Sequence, residues 1–442
     1  MNTLEQLRAG KLAGSKRLTL ACGLKTFPRE IFDLADSLEI LDLSGNALSA
    51  LPDDLPRLHR LRILFCSDNQ FTELPAVLGQ CTQLAMVGFK ANQIRTVPDA
   101  ALPSALRWLI LTDNQIEELP AGIGRCAQLQ KLMLAGNRLQ TLSPALARCT
   151  RLELLRIAAN RLTGFPEFLL ALPRLTWLAY AGNPFCAQWE HAALKQSPMP
   201  SIAWAHLELQ QVLGQGASGV IHQAHWHRSE GVQPVAVKLF KGAVTSDGLP
   251  QSEMVACLRA GAHEHLIPVL GQVQHHPDGV DGMVMALMAP QLRNLAGPPS
   301  LDSCTRDCYA AEVVFDLAAV LALALGMASA ARHLHAQGLM HGDLYAHNIL
   351  HGGQGRAWLG DFGAASFLAP EDHLQAQALQ RLEVRAFGCL LEELLARCQA
   401  PAEAQPVWAV LNDLKAACFD EQPGTRPLFH EIEQGLTTAQ YV

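Results

Sequence analysis

The chain has 442 residues, enough for two or three domains, and with 49% hydrophobic and 17% charged residues it is globular and not disordered. Its net charge of −7 argues against general nucleic-acid binding, which needs a basic surface. Twelve cysteines without paired spacing read as buried free thiols of a reducing, cytoplasmic compartment, not as a disulfide framework. The N-terminal MNTLEQLRAGKLAGSKRL lacks the apolar core of a signal peptide. The most apolar run, Leu317–Ala331, has fifteen residues, short of the roughly 20 that span a bilayer. It is expected to be a buried core helix, and no membrane span is expected.

Taken in chain order, the first half is periodic. Asparagines fall at Asn46, Asn69, Asn92, Asn114, Asn137, Asn160 and Asn183, in steps of 23, 23, 22, 23, 23 and 23. Each sits in the frame L-x-x-L-x-L-x-x-N-x-L-x-x-L-P, cleanest in LEILDLSGNALSALP (Leu38–Pro52). Arg17–Pro28 is a degenerate first copy with Cys22 in the asparagine position, and Cys81, Cys126 and Cys149 recur at one structural place. Period and frame resemble the leucine-rich repeat, over about residues 15–190.

The physics of that frame is simple. One repeat cannot bury its leucines, but a stack can. The x-x-L-x-L segment alternates, so its leucines point inward and the intervening residues point out. In the family the asparagine side chain bonds backbone groups of neighbouring turns. The outward positions include Ile40, Ile63, Met86, Trp108, Leu154 and Trp177, with Phe65 and Ile110 two residues after Ile63 and Trp108. So apolar a row marks a contact face. A protein substrate or partner is expected there, or else packing against the second half of the chain.

Residues 191–205 lose the repeat and read as a linker. Then LELQQVLGQGASGVIHQAHW carries G-x-G-x-x-G at Gly214, Gly216 and Gly219 between two strand-like runs. That context predicts a hairpin loop and not the strand-to-helix turn of a dinucleotide fold. Lys238 ends the strand-like PVAVKLF, and Glu253 lies on a predicted helix fifteen residues on. HGDLYAHN places His341, Asp343 and Asn348 together, and Asp361–Gly363 follow as DFG.

In this order the elements resemble those of protein kinases. The chain as a whole is similar to a soluble, bacterial-type leucine-rich repeat protein kinase. The implied fold class is α/β multidomain: a repeat solenoid, then a bilobal α+β kinase-like domain over residues 206–437. The resemblance implies an ATP site from Leu213, Gly214, Gly216, Gly219, Val220, Ala236 and Lys238. Asp343 is the implied catalytic base, Glu253 the partner of Lys238, and Asn348 and Asp361 the implied Mg²⁺ ligands.

EVRAFGCLLEELL, the APE triplet Ala369–Glu371 and the R-P at Arg426 favour a protein kinase over small-molecule phosphotransferases, which also use H-G-D. The resemblance implies that Glu371 pairs with Arg426. Departures stand beside these matches. Gly342 replaces the arginine that reads an activation-loop phosphate, and only AASFL separates DFG from APE. Activity independent of loop phosphorylation is expected. Tyr345 stands where Ser/Thr kinases carry lysine, and Glu383 where an aspartate braces the catalytic loop. A protein kinase of serine/threonine type is the expected function, with tyrosine or dual specificity left open; a non-catalytic scaffold with a pseudokinase, or a small-molecule phosphotransferase, stands as the alternative.

Overall fold

A computed structural model of the chain describes residues 2–196, 200–216, 218–242, 244–353, 355–399 and 405–439. Two compact units emerge: Met1–Arg174 with Asn183–Phe185, and Leu175–Gly182 with Cys186–Val442.

The first unit is the expected solenoid. Three-residue strands from Arg17–Thr19 to Leu154–Arg156 pair in parallel and in strict register, so Leu18, Leu41, Leu64, Val87, Leu109, Leu132 and Leu155 form one column. All seven are essentially fully buried. Each contributes roughly 2 kcal/mol that an isolated repeat could not collect. The degenerate copy supplies a true strand, Arg17–Thr19. Its open edge is covered by Asn2, whose N–H donates to Thr19 O at 3.2 Å and whose side chain accepts from Thr19 N at 3.1 Å. A short helix, Leu4–Arg8, follows with a reciprocal Thr3/Gln6 cap. An edge covered in this way is no template for aggregation.

The asparagines act as expected. Asn69 Oδ1 accepts from Leu48 N at 2.8 Å and its amide donates to Leu43 O at 2.9 Å, both in the preceding repeat. Asn92, Asn114, Asn137, Asn160 and Asn183 repeat this bridge. The residue before each asparagine is left-handed: Gly45, Asp68, Ala91, Asp113, Gly136, Ala159 and Gly182 all have φ between 52° and 71°. Cys81, Cys126 and Cys149 follow three of the 3₁₀ turns, and burial pushes their thiols up to about 11.

In the second unit a six-stranded sheet runs in the order Leu207–Gln215, Gly219–Arg228, Gly231–Phe240, Gly282–Ala286, Val269–Gln274, Ser201–Ala203. One face packs a core of Ile202, Ala224, Val235, Val237, Val273 and Val284. Residues 191–205 are therefore not a plain linker. They hold the end of the helix Ala187–Gln196, the sheet strand Ser201–Ala203 and a 3₁₀ turn, Trp204–His206; 197–199 lie outside the described residues.

The apolar run extends into the helix Leu317–Ala336, capped by Asp316, whose side chain accepts from Ala319 N. At 20 residues it is long enough to cross a membrane, so length does not separate the two readings. Burial favours the core helix: 56% of its most apolar stretch lies inside the protein, including Leu323, Met327 and Leu334. The helix His373–Leu395 buries thirteen residues beside it, Glu383 among them. None of the twelve cysteines forms a disulfide.

Candidate active site

The glycine segment is the expected hairpin. Gln215 pairs with Val220, and Gly216 N donates to Gly219 O at 3.0 Å. The three glycines differ in purpose. A Cβ on Gly219 would stand 2.5 Å from Leu239 O, so the sheet itself requires that glycine. A Cβ on Gly214 or Gly216 would meet nothing within 4 Å, so the loop stays open to a ligand there. Leu213 is 47% exposed beside them, an apolar surface without a cover. Ala217 lies outside the described residues.

Strand register sorts the remaining sheet positions. Paired residues share a face, and the faces alternate along each strand. Lys238 pairs with Ile221 and Met283, and Ala236 with Gln223 and Met285. Val220 pairs with Leu239, which packs on the core side. Val220 therefore does not join the face of Ala236 and Lys238, and Ile221 takes the place expected of it. Ile221 lies two positions after Gly219, with Val220 between them; counting alternation from the glycine would have found it.

Lys238 Nζ lies 2.5 Å from Glu253 Oε1 and 3.4 Å from Asp361 Oδ1. Lys238 and Glu253 are buried, whereas the Asp361 side chain keeps 48% of its surface open. Glu253 stands in the first turn of the helix Pro250–Ala260, where the helix dipole favours a carboxylate. Burial alone would lower the Lys238 pKa, but Asp361 and Glu253 together hold it above its ordinary value. Desolvation would raise Asp361, yet Lys238 and the Gly363 N–H keep it below the usual carboxylate range. Asp361 has φ 57°, a left-handed conformation that a non-glycine residue adopts at a cost and that clusters at functional sites.

The His341–Asn348 loop is fixed from several sides. Asn348 Nδ2 donates to both the carbonyl and the carboxylate of Asp343, each at 2.9 Å. His341 is fully buried, with Nε2 3.1 Å from Gly360 O and its ring against Phe362. His347 Nδ1 lies 2.7 Å from Asp307 Oδ1. Burial would lower the His347 pKa, but its bond to Asp307 and the charges of Asp343 and Asp361 raise it.

Glu383 accepts from Gly342 N at 2.6 Å and His341 N at 3.2 Å and lies 2.8 Å from His335 Nε2. The extra methylene relative to aspartate is absorbed.

Three expectations need correction. Glu371 does not pair with Arg426; it accepts from Gln188 Nε2 at 3.2 Å and Trp189 Nε1 at 3.3 Å. Arg426 is buried and donates to the carbonyls of Asp420 and Arg381. Trp177 is no outward anchor: it is buried in the second unit, stacked on Tyr345. Ile63, Met86 and Leu154 are also buried; in-register strands set side chains one spacing apart, where neighbours cover one another. Ile40, Phe65, Trp108 and Ile110 keep part of their surface.

A cradle of glycines, a buried lysine–glutamate pair reaching an open aspartate, and an Asp–Asn pair on a braced loop are arranged as in a protein-kinase domain. Comparison with known proteins agrees. The family described as protein tyrosine and serine/threonine kinase matches residues 207–387, and leucine-rich repeat families match residues 37–58 and 104–162. The chain is N-terminal leucine-rich repeats followed by a protein-kinase domain.

Megakaryocyte-associated tyrosine-protein kinase of Mus musculus is 25% identical over 52% of this chain and 48% of its own length. Fibroblast growth factor receptor 1 of Xenopus laevis is 21% identical over 59% of this chain and 38% of its own. Protein sevenless of Drosophila virilis is 24% identical over 52% of this chain and 10% of its own. The chain spans about half or less of the length of these relatives.

Proposed function

We propose that the protein transfers the γ-phosphoryl group of ATP to a hydroxyl group of a protein, with Mg²⁺, while its repeats hold a protein partner. The observation that carries the reading is the convergence of Lys238, Glu253 and Asp361 from three separate elements. A buried ion pair is a poor way to stabilise a fold, because desolvation offsets most of its attraction. Keeping one in contact with an open carboxylate makes sense where phosphates must be neutralised.

The donor set suits the metal. Asn348 and Asp361 offer hard oxygen ligands, and no cluster of three or more His, Cys, Asp or Glu forms a closed cage among the described residues. Mg²⁺ favours few protein ligands completed by phosphate oxygens and water. When bound it supplies neutralisation of the phosphate oxygens. The chain's own groups do the rest. Lys238 offers a fixed cation to the α and β phosphates, and the open loop at Gly214 and Gly216 lets backbone N–H groups approach. Asp343, oriented by Asn348, takes the proton of the acceptor hydroxyl.

The acceptor was expected to be serine or threonine, but tyrosine gains support from the matched tyrosine-protein kinase. Tyr345 brings no cation to the loop, and phosphoamino-acid analysis of the product separates the two. Asp343→Asn should bind ATP like the wild type and lose transfer by roughly 100-fold or more. Transfer at the wild-type rate in that variant would remove Asp343 from the chemistry. A wild type that binds ATP and transfers nothing would make the chain a scaffold.

We also assign partner binding to the outward face of the repeats, on Phe65, Trp108 and Ile110. Phe65 lies over Gly88, where a Cβ would stand 2.6 Å from its ring, and the Lys131 ammonium sits 4.2 Å from the Trp108 ring centroid. Such ordered, partly open aromatic groups are the usual anchors of protein interfaces.

A further inference from the structure

The last copy of the repeat frame contributes Leu175–Gly182, and those residues belong to the second unit. Trp177 is 1% exposed; its ring stacks on Tyr345 with centroids 4.2 Å apart and planes 9° from parallel. Its indole N–H donates to Leu344 O at 3.3 Å. One residue on, a Cβ at position 342 would stand 2.6 Å from Leu178 O and 2.5 Å from Ala364 O, and Gly342 has φ 71°. Only glycine passes there.

Tyr180 completes the contact. Its N–H donates to Ser366 Oγ at 3.0 Å, and its hydroxyl to Phe367 O at 2.8 Å. The short span Trp177–Tyr180 thus reaches, through Trp177, Leu178 and Tyr180, both the loop that carries Asp343 and the short segment after DFG. Ser366 is fully buried, so the one hydroxyl of AASFL is spent on Tyr180 and closed to modification.

We infer that Trp177 and Tyr180 are positioning residues of the phosphotransfer site: the final repeat strand orders the Gly342–Tyr345 loop and the Ser366–Phe367 segment. The inference rests on the kinase reading above and deepens it. A loop with glycine at position 342 has no arginine with which to read a phosphate, and a five-residue segment has little to phosphorylate. Some other contact must hold both in one geometry, and the stack, the indole bond and the two Tyr180 bonds meet that need. A displacement of about 1 Å at a reacting group can cost roughly 100-fold in rate. The kinase domain therefore begins functionally at residue 175, inside the repeat sequence.

The test uses the full chain with Trp177→Ala, Trp177→Phe and Tyr180→Phe. Trp177→Ala should lower kcat by roughly 100-fold while the Kd for ATP stays at the wild-type value, because Lys238, Glu253 and Asp361 do not touch this strand. Trp177→Phe, which keeps a ring on Tyr345, should recover most of the rate. Tyr180→Phe removes a single hydroxyl from a folded protein and should lower kcat with no change in ATP affinity.

Wild-type kcat in Trp177→Ala or Tyr180→Phe overturns the inference. So does a parallel loss of ATP affinity, or a Phe variant no better than Ala, since those mark general destabilisation. Hydrogen exchange supplies a readout without turnover. Peptides covering 341–348 and 364–368 should lose protection in Tyr180→Phe while 235–239 keep theirs. Unchanged or uniformly lost protection sinks the positioning role. An inactive wild type with the local pattern sinks only the kinase reading.

Discussion

Glu383 shows how much one side chain can carry. Its carboxylate takes the backbone N–H groups of His341 and Gly342 and faces His335, all in a fully buried setting. Glu383→Ala would leave two buried donors unpaired and should cost about 3 kcal/mol or more, read by denaturant unfolding. Burial raises the Glu383 pKa, but His335, His341 and the Gly342 N–H overcome that and hold it below its ordinary 4.5. A carboxylate depressed on folding stabilises fully above its unfolded value and loses that contribution as pH falls through the folded one. Glu383→Gln should therefore lose most against wild type above pH about 5, and the gap should shrink in acid. A gap that widens in acid would contradict the assignment. Residue type and spacing singled out Lys238, Glu253, Asp343, Asn348 and Asp361, and the structure brings Lys238 to Glu253 and Asp361, and Asn348 to Asp343. Val220 was misread because strand alternation, not adjacency to the last glycine, decides which residue faces the lysine.

At the scale of elements, the repeats were legible down to their asparagines, whose hydrogen bonds require that residue. The left-handed column before them was not, since glycine, aspartate and alanine alternate there without a shared chemistry. Alanine pays for that conformation about 1–2 kcal/mol, and glycine avoids it at an entropic cost of about 0.5–1 kcal/mol. Ala159→Gly should raise stability by up to about 1 kcal/mol and Gly136→Ala should lower it, as thermal melting would show. Equal melting of both variants and wild type would mean that these turns relax freely. The strand Ser201–Ala203 escaped the sequence reading because three residues just after two prolines carry no periodic signal. The seat of Trp177 escaped it for another reason: the frame assigns it to a repeat, while its contacts lie 167 residues away.

On the scale of the molecule, one chain joins leucine-rich repeats to a protein-kinase domain. Phe65→Ala with Trp108→Ala should leave folding and basal turnover intact, since Trp108 Nε1 makes no hydrogen bond and both rings are partly open. Partner affinity should fall by about 2 kcal/mol or more. In cells, phosphorylation sites lost with Asp343→Asn should also be lost with this double variant; sites that survive in it would move the docking surface elsewhere. The central claim is tested most directly by one transfer assay. Phosphatase-treated full chain is given labelled ATP and Mg²⁺, and label in protein is followed in wild type and in Asp361→Ala. The account predicts transfer by the dephosphorylated wild type and a loss of roughly 100-fold or more in the variant; equal transfer by both, or none by the wild type, would contradict it.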